Sequence, residues 1–135
     1  MITHGDLGKG LLSTVSMLVQ DNDMLESIGF FPGQGAEDLQ KKIVEKLDYM
    51  NSCEGVLCFV DMLGGTPSNV VSEFVVRDKN QKIKLVAGVN LPILIEAIAL
   101  RYSMKLPELV SHILGVGKNS IIDVGEILLG GMKSS

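Results

Sequence analysis

No tryptophan occurs in this 135-residue chain, and aromatic side chains make up only 4% of it. Proteins that grip single-stranded nucleic acid stack bases on aromatic rings along a basic track. Here 12 lysines and arginines face 16 acidic residues, the formal net charge is -4, and neither group gathers into a stripe. Nucleic acid is therefore not expected as a partner. Cysteine is scarce too. Cys53 falls in a predicted loop and Cys58 in a predicted buried strand, without a CxxC pair or histidines at ligand spacing. Both read as free thiols, and neither a metal nor a redox role is expected. Long apolar runs are also missing: LPILIEAIAL stops at about ten residues and carries Glu96, against the ~20 that span a bilayer. With no basic n-region or apolar h-region at the start, the expected location is cytoplasmic, without membrane insertion.

What remains is a core-forming composition, 46% hydrophobic and 21% charged, rich in Leu, Ile, Val, Ala and Gly. That suits one domain over residues 1–135, with a frayed tail at 131–135. Periodicity alternates along the chain between short apolar runs and helical spacing, the pattern of an α/β domain. Ile2 and Thr3 read as the end of a strand, and Leu7, Leu11, Leu12, Val15, Leu18 and Val19 as a helix face. ESIGFF reads as a second strand, and Leu39, Ile43, Leu47 and Met50 as the apolar side of a second helix. GVLCFVD is an unbroken apolar run that fits a parallel strand buried on both faces. MLGGTPSN then turns into a helix ending near Arg77, KIKLVAG is a fourth strand, and NLPILIEAIALRYSM a helix behind it. Leu106, Leu109, Val110, Ile113 and Leu114 mark one more short helix, and after Gly115 and Gly117 SIID reads as a last short strand. The expected fold is a flavodoxin-like, doubly wound, mainly parallel sheet of order 2-1-3-4 with a short fifth strand and helices on both faces.

Open sheets of this kind bind ligands beyond the carboxyl ends of their strands, where the strand order reverses. His4 follows the first strand and Asp61 closes the third, so spacing alone brings them together at the switch point. A carboxylate on one imidazole nitrogen fixes the tautomer and leaves the other nitrogen as a nucleophile. Gly5 lets backbone approach a ligand closely. His112, inside the C-terminal helix, reads as structural. In DMLGGTPSN, Thr66 reads as an N-cap and Pro67 as the first helical residue. Gly64 and Gly65 additionally free the backbone for an N–H-lined turn that would cradle a phosphoryl oxygen. No Walker lysine and no GxGxxG is present, so neither ATP nor a dinucleotide cofactor is expected.

THG, FPGQGAEDL, FVDMLGGTPSN and VAGVNLPILIEA stand in order behind the four strands. In this arrangement the chain resembles the mannose-class IIA proteins of the bacterial sugar phosphotransferase system. The resemblance implies that His4 accepts a phosphoryl group at Nε2, that Asp61 holds its Nδ1–H, and that Thr66 contacts the phosphoryl group. It places Asn69 and Asn90 at motif positions, read as site scaffolding. It also implies phospho-HPr as donor, a IIB protein or domain as acceptor, no cofactor or metal, and a homodimer in which residues 120–123 pair with the partner's sheet. The absence of a Pro/Ala-rich linker after the domain suggests a free-standing IIA protein. Two other classes compete with this reading: a IIA-like regulatory module, as in transcription regulators or the dihydroxyacetone kinase system, and a hydrolase using Thr66, His4 and Asp61 as a triad. The last lacks a GxSxG elbow. One departure stands out: strand 1 has only Met1, Ile2 and Thr3 before His4, against seven residues in GVLCFVD. Either a central strand is a stub, or residues precede Met1.

Overall fold

The computed structural model describes residues 1–50 and 53–133, with side chains through Gly131. Four parallel strands form one sheet in the order β2-β1-β3-β4, where β1 is Ile2–His4, β2 Ile28–Phe30, β3 Val56–Val60 and β4 Ile83–Ala87. Three helices return the chain between strands: α1 (Leu7–Leu18), α2 (Ala36–Tyr49) and α3 (Thr66–Arg77). Beyond β4 come α4 (Leu91–Leu100), α5 (Leu106–Lys118) and α6 (Val124–Lys133). The core lies in two layers because the strands are apolar on both faces. On one side Ile43 and Leu39 of α2 and Val70 and Val71 of α3 cover Ile2, Ile28, Cys58 and Val60. On the other, Val15 of α1, Ile93, Leu94 and Ala97 of α4 and Ile113 of α5 close over Phe59 and Val86.

The sheet order agrees with the sequence expectation, but the fifth strand is not there. Residues 120–123 are irregular, and the segment after them is helical. The reason is a cap: the Glu126 N–H donates to Asp123 Oδ1 at 2.9 Å, and the Ile127 N–H to the Asp123 carbonyl at 3.2 Å. Asp123 followed by Glu126 is a helix-start signature. The helix runs on through Lys133, so residues 131–133 of the expected frayed tail are its last turn, while 134 and 135 lie outside the described residues. α5 itself runs through Gly115 and Gly117 to Lys118. Gly117 is small for packing rather than for termination: a Cβ there would come 2.9 Å from Ile93 Cγ2, where α5 crosses α4.

β1 is short, as its sequence suggests. It pairs with β2 at Ile2, Thr3 and His4, but with β3 only through Ile2 opposite Val60. Its exit is held firmly. Thr3 is fully buried, and its Oγ1 accepts the Gly8 N–H at 2.9 Å, which satisfies one of the orphan donors of α1. Gly5 then turns the chain with φ +56°.

Candidate active site

The carboxyl ends of β1 and β3 lie side by side at the reversal of strand order, and they carry His4 and Asp61. The His4 Nδ1 is 2.7 Å from Asp61 Oδ2, and the same oxygen accepts the His4 backbone N–H at 3.0 Å. The Met62 N–H donates to the other oxygen, Oδ1, at 3.0 Å. Burial by itself would raise the Asp61 carboxyl, but the His4 amide and ring and the Met62 amide outweigh it and leave the carboxyl below its ordinary value. An ionised Asp61 accepts only, so Nδ1 is the protonated nitrogen and Nε2 carries the lone pair. The ring meets Phe30 edge-on, with centroids 6.2 Å apart at 72°. Its side chain is nonetheless 45% exposed, so the free nitrogen can meet another molecule.

The second wall is the glycine turn. A Cβ placed on Gly65 would lie 2.7 Å from His4 Cε1 and 3.3 Å from Nε2, so the imidazole sits directly against that glycine. Gly65, not Thr66, is the N-cap of α3, and Pro67 falls in the first turn. The Thr66 N-cap expectation is thereby corrected: the cap position is one residue earlier, where extended backbone and no side chain are needed. The first bond of α3 runs from the Asn69 N–H to the Gly65 carbonyl at 3.0 Å. The amides of Thr66 and Ser68 precede it and have no intrahelical acceptor, while Pro67 has no N–H. The positive end of α3 therefore opens beside His4 Nε2. Gly64, at φ +87°, makes the turn that brings it there.

The remaining candidates divide. Gly5 donates its N–H to the Phe30 carbonyl at 2.8 Å, so its amide is committed to the sheet and its part is conformational. Asn90 caps α4: its Oδ1 accepts the Ile93 N–H at 3.2 Å and its Nδ2 donates to the Gly88 carbonyl at 3.1 Å. Gly88 and Val89 in turn donate to the Val60 carbonyl at 3.0 and 3.2 Å, which ties the Asn90 loop to the residue before Asp61. Asn69 is exposed on the first turns of α3. His112 lies away from this site, with its Nε2 2.7 Å from Glu96 Oε1, and links α5 to α4. Among the described residues no cluster of three or more His, Cys, Asp or Glu could hold a metal ion, and no helix is long and apolar enough to cross a membrane.

A family model described as "PTS system fructose IIA component" (EIIA-man) matches residues 1–114. The chain belongs to this family. Relatives agree with the assignment. It is 34% identical over 117 residues to the PTS system fructose-specific EIIA component of Bacillus subtilis (strain 168), covering 87% of this chain and 79% of that one. It is 37% identical over 99 residues to the PTS system mannose-specific EIIAB component of Escherichia coli (strain K12), which takes 73% of this chain. There the chain spans only 30% of the relative's length. Among solved structures, the EIIA phosphotransferase component from Streptococcus agalactiae superposes with a TM-score of 0.84 at 27% identity, covering 92% of this chain and 94% of that one.

For a member of the EIIA-man family, the sequence pointed to His4 and Asp61 through strand-end spacing alone. It did not show that Gly65 is the surface on which the ring rests. A doubled glycine before a helix start was the available signal, but only coordinates reveal which of the pair touches the imidazole.

Proposed function

We propose that the protein is a phosphocarrier of the sugar phosphotransferase system, working in the cytoplasm. The observation that carries this reading is the 2.7 Å contact of His4 Nδ1 with Asp61, which leaves Nε2 unprotonated against the open N-terminus of α3. In the forward step the Nε2 lone pair attacks phosphorus while the bond from phosphorus to the donor's histidine nitrogen breaks, and that nitrogen keeps the electron pair. The donor is phospho-HPr. In the second step an acceptor on a IIB protein or domain attacks the same phosphorus, and Nε2 recovers its pair. The proton stays on Nδ1 throughout, where Asp61 stabilises the positive ring of the phosphohistidine. Asp61 lies on the far edge of the ring from Nε2, so its charge does not oppose the incoming phosphate.

Phosphoryl transfer passes through a loose transition state, so the site works by positioning and by stabilising the equatorial oxygens. The Thr66 amide and hydroxyl are the proposed donors, with Gly64 and Gly65 shaping the turn. Asn69 and Asn90 serve as scaffolding. The proposal includes a homodimer. The exposed apolar residues Ile121, Val124, Ile127 and Leu128 of the C-terminal segment are the surface that a second copy would cover.

Incubation with phosphoenolpyruvate, enzyme I and HPr should add one phosphoryl group that is acid-labile and alkali-stable. His4→Ala should take none, whereas His112→Ala should label like the parent. Labelling of His4→Ala would overturn the assignment.

A further inference from the structure

Strand alternation decides which side chains meet at the carboxyl end of the sheet. Ile2 and Ile28 both enter the core layer of α2 and α3, so His4 and Phe30, each two residues further on, leave their strands on that same face. They are also register partners in the β1–β2 ladder. α3 covers this face, and its N-cap Gly65 lies against the imidazole. β1 runs between β2 and β3, so the ring stands among three elements: Asp61 after β3 on one flank, Phe30 of β2 on the other, and the start of α3 over it.

Asp61 fixes the tautomer, and Gly65 sets how near the ring comes to the helix terminus. Neither stops the ring from tilting. An imidazole tethered at its Cβ and held by one hydrogen bond at Nδ1 can still rock, and rocking carries Nε2 away from the amides at the end of α3. Phe30 stands across that motion. Its ring meets the imidazole with centroids 6.2 Å apart and planes at 72°, the edge-to-face arrangement that aromatic pairs prefer. Phe30 is itself held from several sides. It packs against the buried cluster that contains Ile28, Leu39 and Val70, and its carbonyl accepts the Gly5 N–H at 2.8 Å. The Phe31 N–H donates to Gln34 Oε1 at 2.8 Å. On the other side, a Cβ on Gly29 would fall 2.6 Å from both the Gly5 carbonyl oxygen and Phe31 Cε2, so β2 and the turn after His4 are in close contact there. The end of β2 is thus a firm base, and Phe30 is the part of it that reaches the nucleophile.

We propose that Phe30 is a positioning residue for phosphoryl transfer, holding the His4 imidazole edge-on so that Nε2 stays aimed at the open N-terminus of α3. The inference rests on the phosphocarrier reading of His4. Phe30 touches neither donor nor phosphate in this role and acts only through the ring. A side chain that merely filled the core would be replaceable by any apolar residue of similar volume. An aromatic wall is not, because an aliphatic chain is flexible and offers the imidazole neither a face nor an edge. Loss of such a pair in the transition state corresponds to about 3- to 10-fold in rate.

Three substitutions test it: Phe30→Met keeps the bulk without the ring, Phe30→Leu is smaller, and Phe30→Tyr keeps the ring. NMR relaxation of the His4 Cε1–H group reads ring motion without any phosphoryl donor, and with only 2 histidines in the chain its signal is assigned by comparison with His4→Ala. The ring should be rigid in the parent and in Phe30→Tyr, and mobile in Phe30→Met. Labelling is then followed with phosphoramidate, a small donor that needs no docking, and with phospho-HPr. Phe30→Met should be slower by about 3- to 10-fold with both donors, and Phe30→Tyr should match the parent. Unchanged rates in Phe30→Met would overturn the proposal, as would slow transfer from a ring that stays as rigid as in the parent. Phe30→Tyr as slow as Phe30→Met would also reject it. If Phe30→Met does not fold, Phe30→Leu is read in its place. A parent that accepts phosphoryl from neither donor defeats the phosphocarrier reading, and ring motion alone then decides whether Phe30 holds the imidazole.

Discussion

His4 and Asp61 were legible because strand-end spacing in a parallel sheet is a geometric statement that needs no side-chain detail. Gly65 was not, because its importance is steric and depends on where the imidazole lies. The backbone of Gly65, at φ -83° and ψ 170°, is one that any residue adopts. Gly65→Ala is therefore expected to fold normally and to fail at the ring, whose Cε1 is 2.7 Å from the new Cβ. A displacement of the nucleophile on the order of 1 Å costs about 100-fold in rate, and rapid-quench transfer from phospho-HPr measures it. Gly64→Ala should do the reverse. At φ +87° with open space around it, alanine is strained but touches nothing. Stability should fall by about 1–2 kcal/mol while the His4 geometry survives, so denaturant melts and transfer rates separate the two glycines. Gly5 shows a third kind of limit: its amide is committed to the Phe30 carbonyl, a bond that no sequence pattern announces.

At the scale of elements, the strands, the sheet order and α1 to α4 followed from periodicity, because a strand apolar on both faces and a helix apolar on one give different repeats. The C-terminal part was misread for local reasons. Gly115 and Gly117 resemble a helix stop, yet Gly117 serves the close crossing of α5 over Ile93. SIID resembles a strand, yet its aspartate caps α6. The junction of β1 with α1 gives an element-level prediction. Thr3→Val keeps the shape of a fully buried side chain but removes the acceptor of the Gly8 N–H. A loss of about 1–3 kcal/mol is expected, read from urea melts, with phosphorylation retained below the new transition. For α6, the apolar residues Ile127, Leu128 and Leu129 are each more than half exposed. If they seat a second copy, light scattering should give a dimer for the parent chain and a monomer for one ending at Asn119. A monomeric parent would dismiss the dimer.

For the molecule as a whole, three buried or half-buried groups set the dependence of stability on pH. Burial lowers the Met1 amine from its ordinary 8.0, against the attraction of Cys58 and Glu26. In the interval below 8.0 the unfolded chain then binds more protons than the folded one, so stability climbs as pH rises and levels off above that value. Cys58 acts in the opposite sense: burial raises its thiol above 9.0, against the pull of the Met1 ammonium. The folded chain there keeps a proton that the unfolded chain releases, and stability declines with further alkali. Asp61 governs the acid side. With its carboxyl lowered from 3.8, its contribution is complete above that value and is lost as pH falls through the folded one. Together these place the Tm maximum of the 135-residue chain between pH 8 and 9, at the ordinary values of the two buried groups beneath β1. Differential scanning fluorimetry in steps of about half a pH unit resolves it. Acetylation of the Met1 amine removes its titration, so in the acetylated chain the climb towards pH 8 should flatten while the acid limb set by Asp61 stays. An acetylated chain that keeps the full climb would mean that the buried amine was never its source.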